Sequence, residues 1–267
     1  MVLKSNKRKI KIMYKNDYFN NIYQKCQSDY EKVIELLKAR GFLIDIIQED
    51  VYMSDNSHKD DIYYLKSILE KNDMGTVNNK KIFIKNPYKY FFIENEFQFD
   101  EQMNYEICQS SYGWDYFRYR VHGHKVAVQD LEPFIARYVK ALSSVGVVMA
   151  GSCDGNKVGE KYALVQYEDC CSSFWHILIC EKLKEYNIDL KWTKGGRLYF
   201  DANSKEKIYN NLNVAADIIY RNRVELRNIK QKVLAEYSNS FLKRNYDQMI
   251  IVFSNKVREE FKKISFY

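Results

Sequence analysis

An unbroken apolar stripe at helical period runs from Leu131 to Leu142. Leu131, Phe134, Ile135, Tyr138, Val139 and Leu142 fall at i, i+3, i+4, i+7, i+8 and i+11, the spacing of one face of an α-helix. Glu132, Arg137, Lys140 and Ser144 fall on the other faces. The flanks agree with the period. Asp130 can cap the first free amides, Pro133 sits where the first turn needs no internal donor, and Gly146 can take the left-handed stop. A segment of this kind has to be a helix packed on a core.

Its neighbours suggest what that core is. An aromatic, alternating run over 117–121 reads as a strand. After the helix come an apolar strand over 147–150, a turn over 151–155 and a strand over 162–167. A second helix starts near Ser172, and a hairpin follows, with strands over 188–192 and 198–200 joined by Gly195 and Gly196. The order is β-α-β-β-α-β with one extra strand. This predicts an α+β fold with a ferredoxin-like split βαβ core over 115–203, an N-terminal α/β extension over 1–105 and long C-terminal helices over 204–267.

In the extension, a helix is expected over 17–40, ended by Gly41, then a short buried strand over 42–47 and a helix over 60–71. Residues 82–99 are aromatic and β-prone, with a bend at Asn86 and Pro87. Residues 103–114 have no period and read as a link to the core. From Arg197 onward there is no glycine or proline, which suits long helices. Leu212, Ile219, Leu226 and Val233 repeat every seven residues, with Ala215, Asn222 and Ile229 three places after the first three. This partial heptad seam predicts either a helix packed on its own core or one that self-associates. The run over 249–253 (Met-Ile-Ile-Val-Phe) is apolar on every side and is expected to be buried.

Length and composition fit a globular chain, with 46% hydrophobic and 29% charged residues. No apolar run approaches the roughly 18 residues of a membrane helix, and the basic start lacks a secretory h-region, so a cytoplasmic protein without a membrane partner is expected. The six cysteines show no repeated spacing and read as free thiols. Many tyrosines against two prolines suggest an AT-rich coding source, compatible with a phage or a low-GC bacterium. The net charge of +7 is concentrated at the two ends around an acidic middle. Lys4, Lys7, Arg8, Lys9, Lys11 and Lys15 precede any acid, and 205–263 holds a second basic excess. Such ends can meet nucleic acid or an acidic protein surface.

Candidate chemistry is sparse. Gly151-Ser152-Cys153-Asp154-Gly155 follows a strand and spells a nucleophile elbow. The residues after it lead into another strand, which leaves no helix N-terminus to activate Cys153, and a hairpin turn fits equally. His122 and His124, two apart, would share one face of a strand and could act as bases or, with Cys153 or the 169–171 run, as zinc ligands. No C-x-x-C or H-E-x-x-H spacing supports a metal, and no phosphate-cradling glycine motif is present, so neither metal nor cofactor is expected. The split βαβ plan is similar to that of RNA-recognition modules, with Phe117 and Tyr119 on one strand face and Tyr199 and Asp201 on another. The basic-glycine-aromatic string of those modules is missing.

The expected function is therefore a non-catalytic protein-interaction module. One version is a phage or mobile-element inhibitor that occludes a host nucleic-acid-processing or defence complex. Arg221, Arg223 and Arg227 are the expected partner-binding residues, and the partner is a host protein complex or a second copy joined through the C-terminal helix. The alternatives are a nucleic-acid binder that uses the basic helix and strand aromatics, and a Cys/His enzyme built on Cys153 with His122 or His124.

Overall fold

The structure, a computed structural model, describes residues 17–98, 114–156, 161–200, 205–241 and 245–267. The predicted basic arm before residue 17 and most of the predicted link at 103–114 lie outside them. The first part runs α1 (17–23), α2 (Asp29–Arg40), β1 (Ile44–Ile47), β2 (Asp50–Met53), α3 (Lys59–Lys71), β3 (Gly75–Asn78), β4 (Lys81–Ile84) and a short α4 (Phe91–Glu94). The second runs α5 (Trp114–Tyr119), α6 (Pro133–Ser144), β5 (Met149–Cys153), β6 (Tyr162–Tyr167), α7 (Cys170–Leu183) and β7 (Arg197–Tyr199). Three helices follow, α8 (Lys205–Arg221), α9 (Arg223–Phe241) and α10 (Tyr246–Phe261). Two antiparallel sheets, ordered β1-β2-β4-β3 and β5-β6-β7, accompany the helices, so the class is α+β.

The predicted helix over 131–142 is α6, and the other elements are arranged around it. Apart from Arg137, every residue from Pro133 to Ser144 is buried. Its apolar stripe meets the shared core, while α2, α8 and β5 pack along it. The faces expected to carry charge are covered too, and their polar groups are satisfied inside the protein. Arg137 reaches Asp217, Lys140 reaches Asp61 on α3, and the Tyr138 hydroxyl meets His176 Nε2 at 2.6 Å. Burial without a partner would cost several kcal/mol per ion, so these pairs are what permit a helix covered on all sides. Its C-terminus closes as expected. Gly146, at φ 81°, donates to Ser143 O, and Val147 N–H donates to Leu142 O, the paired bonds of a Schellman stop. Its N-terminus does not use Asp130. The cap position is Glu132, and the Phe134 amide is instead met from outside the helix by Asp154 Oδ2 at 3.4 Å.

The split βαβ order does not form. Residues 117–119 belong to helix α5, Phe117 is fully buried against Phe253, and the described sheet holds only three antiparallel strands. Trp114, Phe117, Arg118 and Val121 also fall at helical spacing, and packing on α10 decides between two periods that five residues cannot separate. The helix expected over 17–40 is broken at 24–28, where Ser28 caps α2 by accepting from the Glu31 amide. The predicted buried strand over 42–47 is an edge strand with Ile46 and Ile47 exposed. Residues 85–97 turn from strand into short helices after Pro87.

The heptad seam faces inward. Leu212, Ile219, Leu226, Val233, Ala215 and Ile229 are all buried in the one hydrophobic cluster that spans α1 to Phe266. The seam is consumed by its own core and offers nothing to a second copy. Its polar member, Asn222, donates to Ile218 O and Tyr267 O and accepts from Tyr267 N–H, which fastens the last residues to the α8–α9 junction. The 249–253 run is not buried all round, because Ile251 is 58% exposed. No helix among the described residues is long and apolar enough to cross a membrane.

Candidate functional site

A cleft of about 560 Å³ lies between strand β1 and helix α8. One wall is the whole of 42–47, and the other is Ala216, Asp217, Tyr220 and Arg221, with Arg137 and Ala141 of α6 also lining it. It continues into a second hollow of about 380 Å³ beside α2, which shares Lys38, Ile46, Arg137, Asp217 and Arg221 with it. The sequence places these walls simply. Gly41, at φ 111°, stops α2, and β1 then runs out to a two-residue hairpin turn. Gln48 and Glu49 occupy that turn with φ 50° and 73°, left-handed values that asparagine and glycine accept at lower cost.

Charge in the cleft is organised as a web. Arg137 pairs with Asp217 at 2.8 Å and with Glu35 at 3.7 Å, Lys38 pairs with Glu35, and Arg221 pairs with the other Asp217 oxygen. Burial alone would push the Glu35 carboxyl up, but the Arg137 and Lys38 charges outweigh it and hold it below its ordinary value. Arg223 lies over the Tyr220 ring at 4.1 Å, and both side chains bond Asp45 Oδ1 at 2.9 and 3.0 Å. The web ties β1 to the α8–α9 corner through the bonds of Tyr220 and Arg223 to Asp45. Arg221 has 63% of its side chain exposed, and Ile46 and Ile47 are each 58% exposed at the mouth.

Of the three predicted partner-binding arginines, Arg221 and Arg223 therefore line the cleft. Arg227 stands one helical turn further along α9, where its Nε donates to Arg223 O and its Nη1 lies 3.2 Å from the His122 ring. Burial, then the Arg227 charge, lowers the His122 pKa. His124 points elsewhere, with Nε2 2.8 Å from Glu168 Oε1. The two histidines thus share no strand face, since 122–127 is neither strand nor helix.

Cys153 is separated from His124. The loop with His124 is fastened to the C-terminal end of α6 by Gly123 N–H to Ser143 O and Ser143 Oγ to His124 O. Asp154, next to Cys153, sits at the N-terminal end of α6 against Phe134. From Phe134 to Ser143 the helix rises nine residue steps, about 14 Å. What Cys153 does have nearby is a pair that sequence reasoning missed, Glu132 and Asp154, with ligand atoms of all three within 4.8 Å of one another. Three of their four carboxylate oxygens accept backbone amides. Glu132 Oε2 accepts the Asp154 amide at 2.5 Å, and Asp154 accepts from Asn156 and Phe134 amides. Burial, then the Glu132 charge, raises the Asp154 pKa to about 7. This cluster closes the α6 N-terminus. Among the described residues, Cys26, Cys153, Cys171 and Cys180 are not in disulfides.

Comparison with protein-family models, curated proteins and solved structures finds no match for the chain.

Proposed function

We propose that the chain is a non-catalytic protein-interaction module whose contact surface is the cleft between β1 and α8. The observation that carries this reading is a pair of exposed isoleucines, Ile46 and Ile47, at the mouth of a cleft lined by Arg137, Arg221 and Arg223. Apolar side chains beside arginines are the composition of protein contact sites. The groups that a Cys/His enzyme would need are divided between the two ends of α6, which weakens that alternative.

A second reading has an observation of its own. On the β6–β7 ladder Tyr162 and Tyr199 pack edge to face, Arg197 lies 5.2 Å from the Tyr162 ring, and Tyr199 is 54% exposed. Such a patch could stack a single-stranded base. Of the two other predicted stacking rings, Phe117 is buried and unable to do so, and Tyr119 is exposed but lies on helix α5 rather than on a strand.

A capture experiment with four proteins separates these readings: wild type, Ile46→Glu, Arg221→Glu and Tyr199→Ala, each from nuclease-treated and untreated lysate. The interaction reading expects a stoichiometric protein partner that survives nuclease, falls at least tenfold with either cleft variant and is indifferent to Tyr199→Ala. Recovery of nucleic acid that depends on Tyr199 would establish the second reading instead. A partner indifferent to both cleft variants overturns the assignment of the cleft.

A further inference from the structure

Strand β1 is an edge, and its ladder shows which backbone groups it leaves over. Ile47 pairs with Asp50 across the hairpin turn, Asp45 with Tyr52, and Leu43 O accepts from Ser54 N–H. In an antiparallel ladder every second residue bonds to a given neighbour. Met53, opposite Ile44, donates the other way, to Lys80 O at 2.7 Å. The register therefore turns the amides and carbonyls of Ile44 and Ile46 away from β2, and β1 has no other strand beside it among the described residues. The cleft runs along all of 42–47 on this strand, with α8 as its far wall.

We infer that the cleft takes an extended, acidic segment of a partner protein as an added strand antiparallel or parallel to β1. This rests on the reading of the cleft as a protein contact site and names what enters it. With Glu35, which pairs with Lys38 and Arg137, the cleft carries Lys38, Arg137, Arg221 and Arg223 against Glu35, Asp45 and Asp217, a small positive excess that favours carboxylates over a basic strand. A groove between an edge strand and a helix suits an extended backbone, whose own amides and carbonyls complete the row that Ile44 and Ile46 begin, while alternate side chains enter the groove. A helix would bring no backbone groups to that edge, because its own are already paired.

The test uses a displayed library of random heptapeptides selected on the full chain, followed by synthesis of the best binders. Strand addition expects selected sequences rich in β-branched residues and Asp or Glu. It also expects slowed amide exchange at Ile44 and Ile46 on binding, and a loss of about tenfold or more when alternate peptide amides are N-methylated, since each methyl removes a backbone donor to the edge. Ile46→Pro should weaken binding similarly, because it removes only the outward-facing donor of an edge strand. The methylated peptide gives the same reading without any change to the protein. Peptides that map to the cleft, yet leave Ile44 and Ile46 exchange unchanged and tolerate N-methylation, overturn strand addition and keep the contact site. Binders indifferent to Arg221→Glu and mapping elsewhere overturn both. Selection of Lys- and Arg-rich peptides overturns the charge argument.

Discussion

At the residue scale the protein is marked by ionisable groups that are buried and held by named partners. His176 is fully enclosed, its two ring nitrogens facing the Tyr138 and Tyr167 hydroxyls at 2.6 and 2.5 Å. Burial drives its pKa to about 3. Lys230, also fully buried, donates to Arg120 O and Gly146 O and lies 3.8 Å from the Phe117 ring, which joins α9 to the end of α6. His176 and Asp154 predict opposite pH responses. Between about pH 3 and 6.5 the unfolded chain protonates His176 and the native state does not, so this group makes stability fall as pH falls. Between about pH 3.8 and 7 the native state keeps a proton on Asp154 that the unfolded chain has lost, so this group makes stability fall as pH rises. Each slope approaches about 1.4 kcal/mol per pH unit, and between pH 4 and 6.5 they offset one another. Urea unfolding across that range should show His176→Gln shifting the slope toward loss of stability with rising pH, relative to wild type, and Asp154→Asn shifting it the other way. Equal slopes in all three proteins would contradict these assignments. Little of this was legible in the sequence. A histidine among Phe174, Trp175, Ile177 and Leu178 reads as a core residue, but Lys230 and the Glu132–Asp154 pair depend on chain segments that meet only on folding.

At the scale of elements, α6 sets the arrangement, and it is also where the sequence was most informative. Period, proline and glycine agreed on its limits, and all three are local properties. What its other faces touch is not local. Arg137 and Lys140 fall off the apolar stripe in the sequence, and in the structure they fasten α2, α3 and α8 to it. The break before α2 did have a local sign, because Ser28 and Glu31 have the spacing of a capping box. The 117–121 run offered both periods at once, and only contact with Phe253 and Lys230 decided it. Lys140 gives the sharpest test at this scale. Burial lowers its pKa while the adjacent Asp61 opposes that shift. Asp61→Ala should cost about 3–5 kcal/mol in denaturant unfolding by leaving the cation buried without its partner. The double change Asp61→Leu with Lys140→Met should recover most of that loss. A single-variant cost under about 1 kcal/mol would mean that α3 is not held to α6 through this pair.

For the whole molecule, the partial heptad and the cleft account for what the C-terminal helices do. The seam that could have been a dimer contact is internal, and the basic residues beside it divide between holding β1 in place and lining an opening. Arg223 does both, since its bond to Asp45 fixes the wall that it lines. The arginines were legible as candidates because a basic, glycine-free helix is a recognisable pattern. Their common opening was not legible, because it needs β1, α6 and α8 from three distant parts of the chain. The central claim is that contact with a partner occurs at this opening, and hydrogen exchange on the captured complex measures it most directly. Protection of 42–47 together with 216–223, relative to the free chain, is the predicted footprint. Protection confined to 162–167 and 197–200, with the cleft exchanging as in the free protein, would contradict it.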